Sequence, residues 1–184
     1  MIKEIGFSVA LFAASAVPIF ADTDWSGLYV GGSYATASGD MIDIGGPWAL
    51  NEDASLASVF GGYRHDMGSI VLGGEISKSL VMDAYQASWP AWGFSSLTDI
   101  RATVGYDIGN VLVYALAGLT MSDFSTDADE YEYDGWNAGV GVDVMVGESA
   151  FVGAQYVRRD LERVDNTNWS TNFDTFEIRF GLSF

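Results

Sequence analysis

The chain has 184 residues, no cysteine, and a formal charge of −17 from 25 acidic and eight basic side chains. This excludes a disulfide framework and thiolate metal sites, and leaves no basic surface for nucleic-acid phosphates. Only 18% of residues are charged while 49% are hydrophobic, 14% aromatic and 22 are glycine, a mixture foreign to helical or α/β enzymes and suited to a membrane β-barrel.

In chain order, Lys3 precedes an uncharged, mostly apolar stretch over 5–16, followed by Pro18, Ala21 and the acidic Asp22-Thr23-Asp24. That is the layout of a secretory leader, so 1–21 is assigned to a signal peptide and 22–184 to one mature domain. Cleavage after Ala16 satisfies the small-x-small pattern of Ala14-Ser15-Ala16. Ala21 is preferred because Pro18 would end the apolar helical region and strand alternation begins at Trp25. Beyond the leader no apolar run approaches the about 20 residues that a spanning helix needs.

Period-two alternation, with β-branched, aromatic and glycine residues, predicts eight strands over 25–37, 55–64, 70–81, 96–108, 111–122, 135–146, 150–163 and 172–184. Short connections at 65–69, 109–110 and 147–149 alternate with long polar ones at 38–54, 82–95, 123–134 and 164–171. This predicts an all-β fold, an eight-stranded antiparallel up-and-down transmembrane barrel, with short turns and both termini at one end. In the sixth predicted strand Trp136, Ala138, Val140, Val142, Val144 and Val146 oppose Asn137, Gly139, Gly141, Asp143 and Met145. The fifth is apolar on both parities, which leaves its register open.

Alternation would be the same in a soluble barrel with its apolar face inward. The polar parity decides between them: it is mostly Gly, Ser, Thr and Asn with isolated charges, which suits a narrow filled interior. Glu75, Asp99, Arg101, Asp107, Asp143, Glu177 and Arg179 fall on that parity. Buried charges must pair, so Arg101 and Arg179 are expected to centre a luminal network with Glu75, Asp143 and Glu177; small hydrated pockets are the alternative. The segment 123–134 carries six acids and no base. A weak cation-binding loop is read at Asp127, Asp129, Glu130 and Glu132, against a plain solvated loop, since EF-hand spacing is missing; no metal centre and no cofactor is expected. Lys78, Arg158, Arg159 and Arg163 are placed near the long-loop rim, as contacts to lipid phosphates or as ordinary surface cations.

Trp25-Ser26-Gly27-Leu28-Tyr29-Val30-Gly31-Gly32, the eight strands, and the closing Arg179-Phe180-Gly181-Leu182-Ser183-Phe184 together resemble the small outer-membrane β-barrel proteins of Gram-negative bacteria. These share the fold of the outer-membrane protein A transmembrane domain and the opacity proteins. The resemblance implies residence in the cell outer membrane and contact with its lipid and lipopolysaccharide. It also implies an assembly signal in Phe180, Leu182 and Phe184, read by the barrel-assembly machinery, and loops available to an extracellular ligand. It implies a structural or surface-interaction role, envelope integrity or adhesion, with a small porin or channel as the alternative. Enzymes built on such barrels need an activating base at the outer rim. The only histidine, His65, falls in a short turn at the other end, so neither enzymatic activity nor catalytic residues are expected.

Overall fold

Alternation along these segments becomes nine antiparallel strands in a computed structural model that describes residues 23–43, 46–49, 54–83, 93–125, 130–164 and 170–184. The expected leader, 1–21, lies outside the described residues. The strands are β1 (Gly27–Asp43), β2 (Gly46–Ala49), β3 (Ala54–Asp66), β4 (Ile70–Asp83), β5 (Gly93–Asp107), β6 (Val111–Ser125), β7 (Glu130–Val146), β8 (Ala150–Arg163) and β9 (Ser170–Ser183). β3 to β9 pair one with the next in chain order, and β1 pairs with both β3 and β9, the latter from Tyr29↔Ser183 to Ile42↔Ser170. Eight strands thus close a barrel that leaves no backbone edge along the wall, the condition for β-structure within lipid. The short β2 pairs only with the far end of β1.

Two long connections differ from expectation. The segment 38–54 contains the end of β1 and all of β2, and most of 123–134 is the continuing β6–β7 hairpin, paired Asp123↔Glu132 and Ser125↔Glu130. Backbone hydrogen bonds extend a hairpin whatever its side chains, whereas apolar alternation stops where a strand leaves the bilayer, so the sequence pattern ends before the ladder does. The extension sets like charges opposite one another, Asp123 against Glu132 and Asp134 against Glu162.

At the other end the turns are tight. Ile108 N donates to Val111 O at 2.8 Å, and Gly109 and Gly147 have φ of 74° and 76°, a region open to glycine at little cost. Ahead of β1, Trp25 tucks under the barrel: its indole Nε1 donates to Gly109 O at 3.1 Å and its backbone N to Asp66 Oδ2 at 3.2 Å. The backbone N–H of Ser26, donating at 2.8 Å, and the Ser26 hydroxyl hold the Asp24 carboxyl below its ordinary value.

The wall and interior follow from parity. Leu28, Val30, Ile76, Leu119, Val140, Phe176 and Phe180 are exposed on the outer face, with Leu119 64% and Phe180 60% exposed, a continuous apolar surface that water would not tolerate. Leu112, Tyr114, Leu116, Thr120 and Ser122 of β6 face inward, which settles the strand whose register the sequence left open. Its inward face is apolar because it joins a cluster with Trp25, Tyr29, Phe60, Val71, Met145, Phe151 and Val157 that fills the turn end of the lumen. Four of these rings each lie over an inward glycine directly across the ladder: Tyr29 over Gly62, Phe60 over Gly31, Tyr114 over Gly141 and Phe151 over Gly181. Towards the loop end Leu56, Leu97, Tyr133, Leu161 and Phe173 are buried.

A Cβ at Gly141 would sit 2.5 Å from the Tyr114 hydroxyl, whereas at outward Gly32 the nearest atom is 3.5 Å away. Gly141→Val is therefore expected to cost about 1–3 kcal/mol of stability and Gly32→Val much less, measured by urea unfolding of the barrel refolded in lipid vesicles. Equal effects would show that the ring does not need the glycine seat.

Candidate functional site: a charged barrel interior

Between the two apolar layers the interior is ionic. Arg64, Arg101, Arg159 and Arg179 point inward with Glu75, Asp99, Asp143 and Glu177, all at most 5% exposed. Arg179 Nη2 lies 2.5 Å from Glu75 Oε2, and Glu75 Oε1 lies 3.3 Å from Arg101 Nη1. Arg101 pairs with Asp99, Asp99 Oδ2 lies 2.8 Å from Arg159 Nη2, and Arg159 lies 3.3 Å from Glu177. Gln155 closes the circuit, donating from Nε2 to Glu177 at 2.7 Å and accepting from Arg179 Nη1 at 2.8 Å. Asp143 hangs from this ring, 3.5 Å from Arg179 Nε and 2.5 Å from Arg64 Nη2.

Neutral donors take up remaining carboxylate capacity. The Tyr29 hydroxyl donates to Glu75 at 3.0 Å, Thr120 to Asp99 at 2.6 Å and Thr175 to Glu177 at 3.1 Å. Asn137 Nδ2 donates to Thr120 Oγ1 at 2.9 Å. The arginines stack where they do not pair: Arg179 lies 4.0 Å from the Phe60 ring centroid and Arg64 4.3 Å from that of Tyr29. Weakly hydrated planar guanidinium suits such positions better than ammonium would. Tyr29, Arg64, Glu75, Arg101, Tyr114, Asp143, Arg159 and Arg179 come from the eight barrel strands in turn, so the network draws on every stave and crosses the lumen, as from Arg64 of β3 to Asp143 of β7. Four cations meet four carboxylates, so this buried set is neutral.

Of the residues singled out from the sequence, Glu75, Arg101, Asp143, Glu177 and Arg179 are all within this interior, and each is in an ion pair or, for Glu177, bonded to both Arg159 and Gln155. Arg159 is a correction: it is buried in the ring, while its neighbour Arg158 faces out, 3.7 Å from Asp174. Strand parity carries this signal, because adjacent arginines in a strand must face opposite sides and residue 159 shares the side of Gly153, Gln155 and Val157. Arg64, absent from the expected network, sits next to His65 and Asp66, which read as turn but belong to β3. Asp99, on the polar parity but absent from the expected network, is a further junction, meeting two arginines as Glu75 and Asp143 do.

Phe180, Leu182 and Phe184 stand on the outer face at the turn end, and Phe184 N donates to Leu28 O at 2.8 Å. Of the acidic cation candidates, Glu130 and Glu132 are in β7, while Asp127 and Asp129 lie outside the described residues; among those described, no three His, Cys, Asp or Glu side chains gather as a metal site. His65 is exposed at the turn end.

Comparison with known proteins bears on the whole chain. The family model described as outer membrane protein beta-barrel domain matches residues 7–184. A 22 kDa outer membrane protein of Rhizobium leguminosarum bv. viciae is 24% identical over 177 residues, covering 92% of this chain and 82% of that protein. A 25 kDa outer-membrane immunogenic protein of Brucella abortus is 26% identical over 203 residues, covering 97% and 92%. Among solved structures, Neisserial surface protein A superposes with a TM-score of 0.57 at 18% identity, over 86% of this chain and 98% of that one. The attachment invasion locus protein of Yersinia pestis, in complex with the heparin analogue sucrose octasulfate, superposes with 0.56 at 14% identity, over 86% and 99%. At these identities the two structures share the fold.

Removing one partner of a buried ion pair leaves the other uncompensated. Arg179→Ala is expected to cost about 3–5 kcal/mol, and Arg179→Met combined with Glu75→Gln distinctly less than the sum of the two single changes. Urea unfolding in lipid vesicles measures the cycle, and strict additivity would mean that the pair is hydrated rather than coupled.

Proposed function

The chain belongs to the outer membrane protein beta-barrel domain family, and from that premise we propose that this integral outer-membrane protein works as a closed, non-conducting scaffold that presents its loop end to the cell exterior. The observation that carries the reading is the sealed interior: a neutral ring of four arginines and four carboxylates lies between aromatic side chains at one end and Leu56, Leu97, Tyr133, Leu161 and Phe173 at the other. Eight strands leave room for side chains rather than for water. The role is structural or surface-interacting, in envelope integrity or adhesion. The arrangement favours this role over catalysis, since each interior carboxylate is engaged by arginine and His65 is exposed at the turn end, apart from them.

The loop end is acidic, with Asp123, Glu132, Asp134 and Glu162 exposed. A polyanion such as the heparin analogue seen on the Yersinia protein would be repelled there, so the extracellular ligand of these loops is a cationic one. At the turn end, Phe180, Leu182 and Phe184 present an unobstructed aromatic and aliphatic face to the barrel-assembly machinery.

Planar-bilayer recording of the refolded protein is expected to show no steady channel; reproducible, resolvable conductance would favour a small porin instead. For orientation, Glu162→Cys should react with a membrane-impermeant maleimide on intact cells and Ser69→Cys only after the outer membrane is opened, and the opposite labelling would invert the topology. Deletion of Phe184 should lower assembly in cells several-fold while refolding in detergent changes little, because burial of one such side chain contributes only about 1.5–3 kcal/mol. Equal losses in both assays would make Phe184 an ordinary packing residue.

A further inference from the structure

One seam of the barrel comes apart before its strands end. The β4–β5 ladder runs from Ile70↔Tyr106 to Lys78↔Thr98 and stops there, although β4 continues to Asp83 and β5 begins at Gly93. Beyond Lys78, β4 stays with β3 as far as Ser55↔Asp83, and ahead of Thr98, β5 stays with β6 from Gly93↔Ser125. Both legs of the fork have a register shift: Leu80 is left unpaired between Ser58↔Ser79 and Ala57↔Val81, and Ser95 between Phe94↔Phe124 and Ser96↔Asp123. Such bulges bend and twist strands, and these two bend neighbouring strands apart. On the luminal side the Ser79 hydroxyl closes the gap, accepting from Leu97 N at 2.9 Å.

On the outer side the apex of the fork is held by Lys78 and Thr98. Lys78 is exposed amid apolar wall, flanked by Ile76 and Leu80 on its own strand, with Val59 across the ladder and Ile100 on β5, all exposed. No described residue forms an ion pair or hydrogen bond with its ammonium, whereas Arg158, the other wall cation, sits 3.7 Å from Asp174. Lys78 is the ninth residue of β4, and a tilted strand crosses the hydrocarbon layer in about 9–11 residues, which puts the ammonium at the level where headgroups begin.

The geometry points to a lipid-headgroup site at this fork: the phosphate of an anionic membrane lipid, bound by the Lys78 ammonium and the Thr98 hydroxyl, with its chains along Val59, Ile76 and Ile100. At that level an ammonium without a protein partner meets its anion in the lipid headgroups, and the acidic loop end beyond it offers phosphate no competing position. The inference rests on the lipid-facing wall of the membrane reading, which the heat-dependent gel mobility of a closed barrel checks independently.

Native mass spectrometry of the full chain, refolded in detergent with phosphatidic acid, tests it. The parent is expected to retain one lipid per barrel, Lys78→Met to lower retention about tenfold, the scale of one charge-assisted hydrogen bond, and Lys78→Arg to restore it. Thr98→Val should cause a smaller loss, and Arg158→Met none, with all variants keeping the parent's heat-dependent mobility. Equal retention by Lys78→Met would overturn the site. So would equal retention of diacylglycerol, which lacks the phosphate, or displacement by millimolar inorganic phosphate, which would make it a free-anion site. A parent without heat-dependent mobility would instead overturn the membrane reading.

Discussion

A guanidinium cannot shed its proton, so a barrel that encloses Arg64, Arg101, Arg159 and Arg179 must enclose their counter-charges as well. Glu75, Asp99, Asp143 and Glu177 supply them, and the rest of the interior is arranged around that requirement. Neutral donors occupy the spare carboxylate lone pairs, and aromatic faces cover the guanidinium surfaces that carry no hydrogen bond. Because the participants come from every stave, the ring favours one register over any slipped one: a one-residue shift of a charged strand would turn that strand's charges into lipid and leave their partners unpaired. The network thus specifies closure more than it adds stability, since buried pairs often gain little over well-packed apolar residues.

The aromatic layer solves a different problem, that of filling a narrow tube with flat rings. A ring can lie along the wall only where the residue across the ladder has no side chain, and Gly31, Gly62, Gly141 and Gly181 are those residues. Glycine in a strand is ordinarily unfavourable, and here its cost is offset by covering the backbone with a ring, as in the rescue of strand glycines by aromatic neighbours. This layer, together with Trp25 beneath it, fills the turn end with apolar side chains, and in the proposed non-conducting scaffold it is what makes the neutral ring above it a barrier rather than a polar pore.

The strand count, the alternation of tight and long connections, and the facing of β4, β5, β7 and β9 were legible because lipid imposes a strict period of two. Asp143 and Arg179 could be placed in the interior from that period alone. Three things escaped it. β6 is apolar on both faces because its inward side enters the aromatic layer, so alternation had nothing to report. Arg159 groups with its neighbour Arg158 as a surface cation on charge alone, although a strand must send the two to opposite sides. The extension of β6 and β7 past the bilayer leaves no trace in hydropathy, since a ladder in water needs no apolar face. The leader, like Asp127 and Asp129, falls outside the described residues.

The opposed carboxylates Asp123 and Glu132, and Asp134 and Glu162, divide the molecule into two electrostatic regimes. Inside the barrel each of the eight network charges has its complement at contact distance, and added salt has little to screen. Above it the hairpin is held by its backbone against its own side-chain repulsion, a force that decays over about 8 Å at physiological ionic strength and reaches much further in dilute media. The paired strand ends that carry these carboxylates should therefore draw together as ions accumulate and splay as they are removed. Their shape is governed by the surrounding medium, while the barrel that carries them does not sense it.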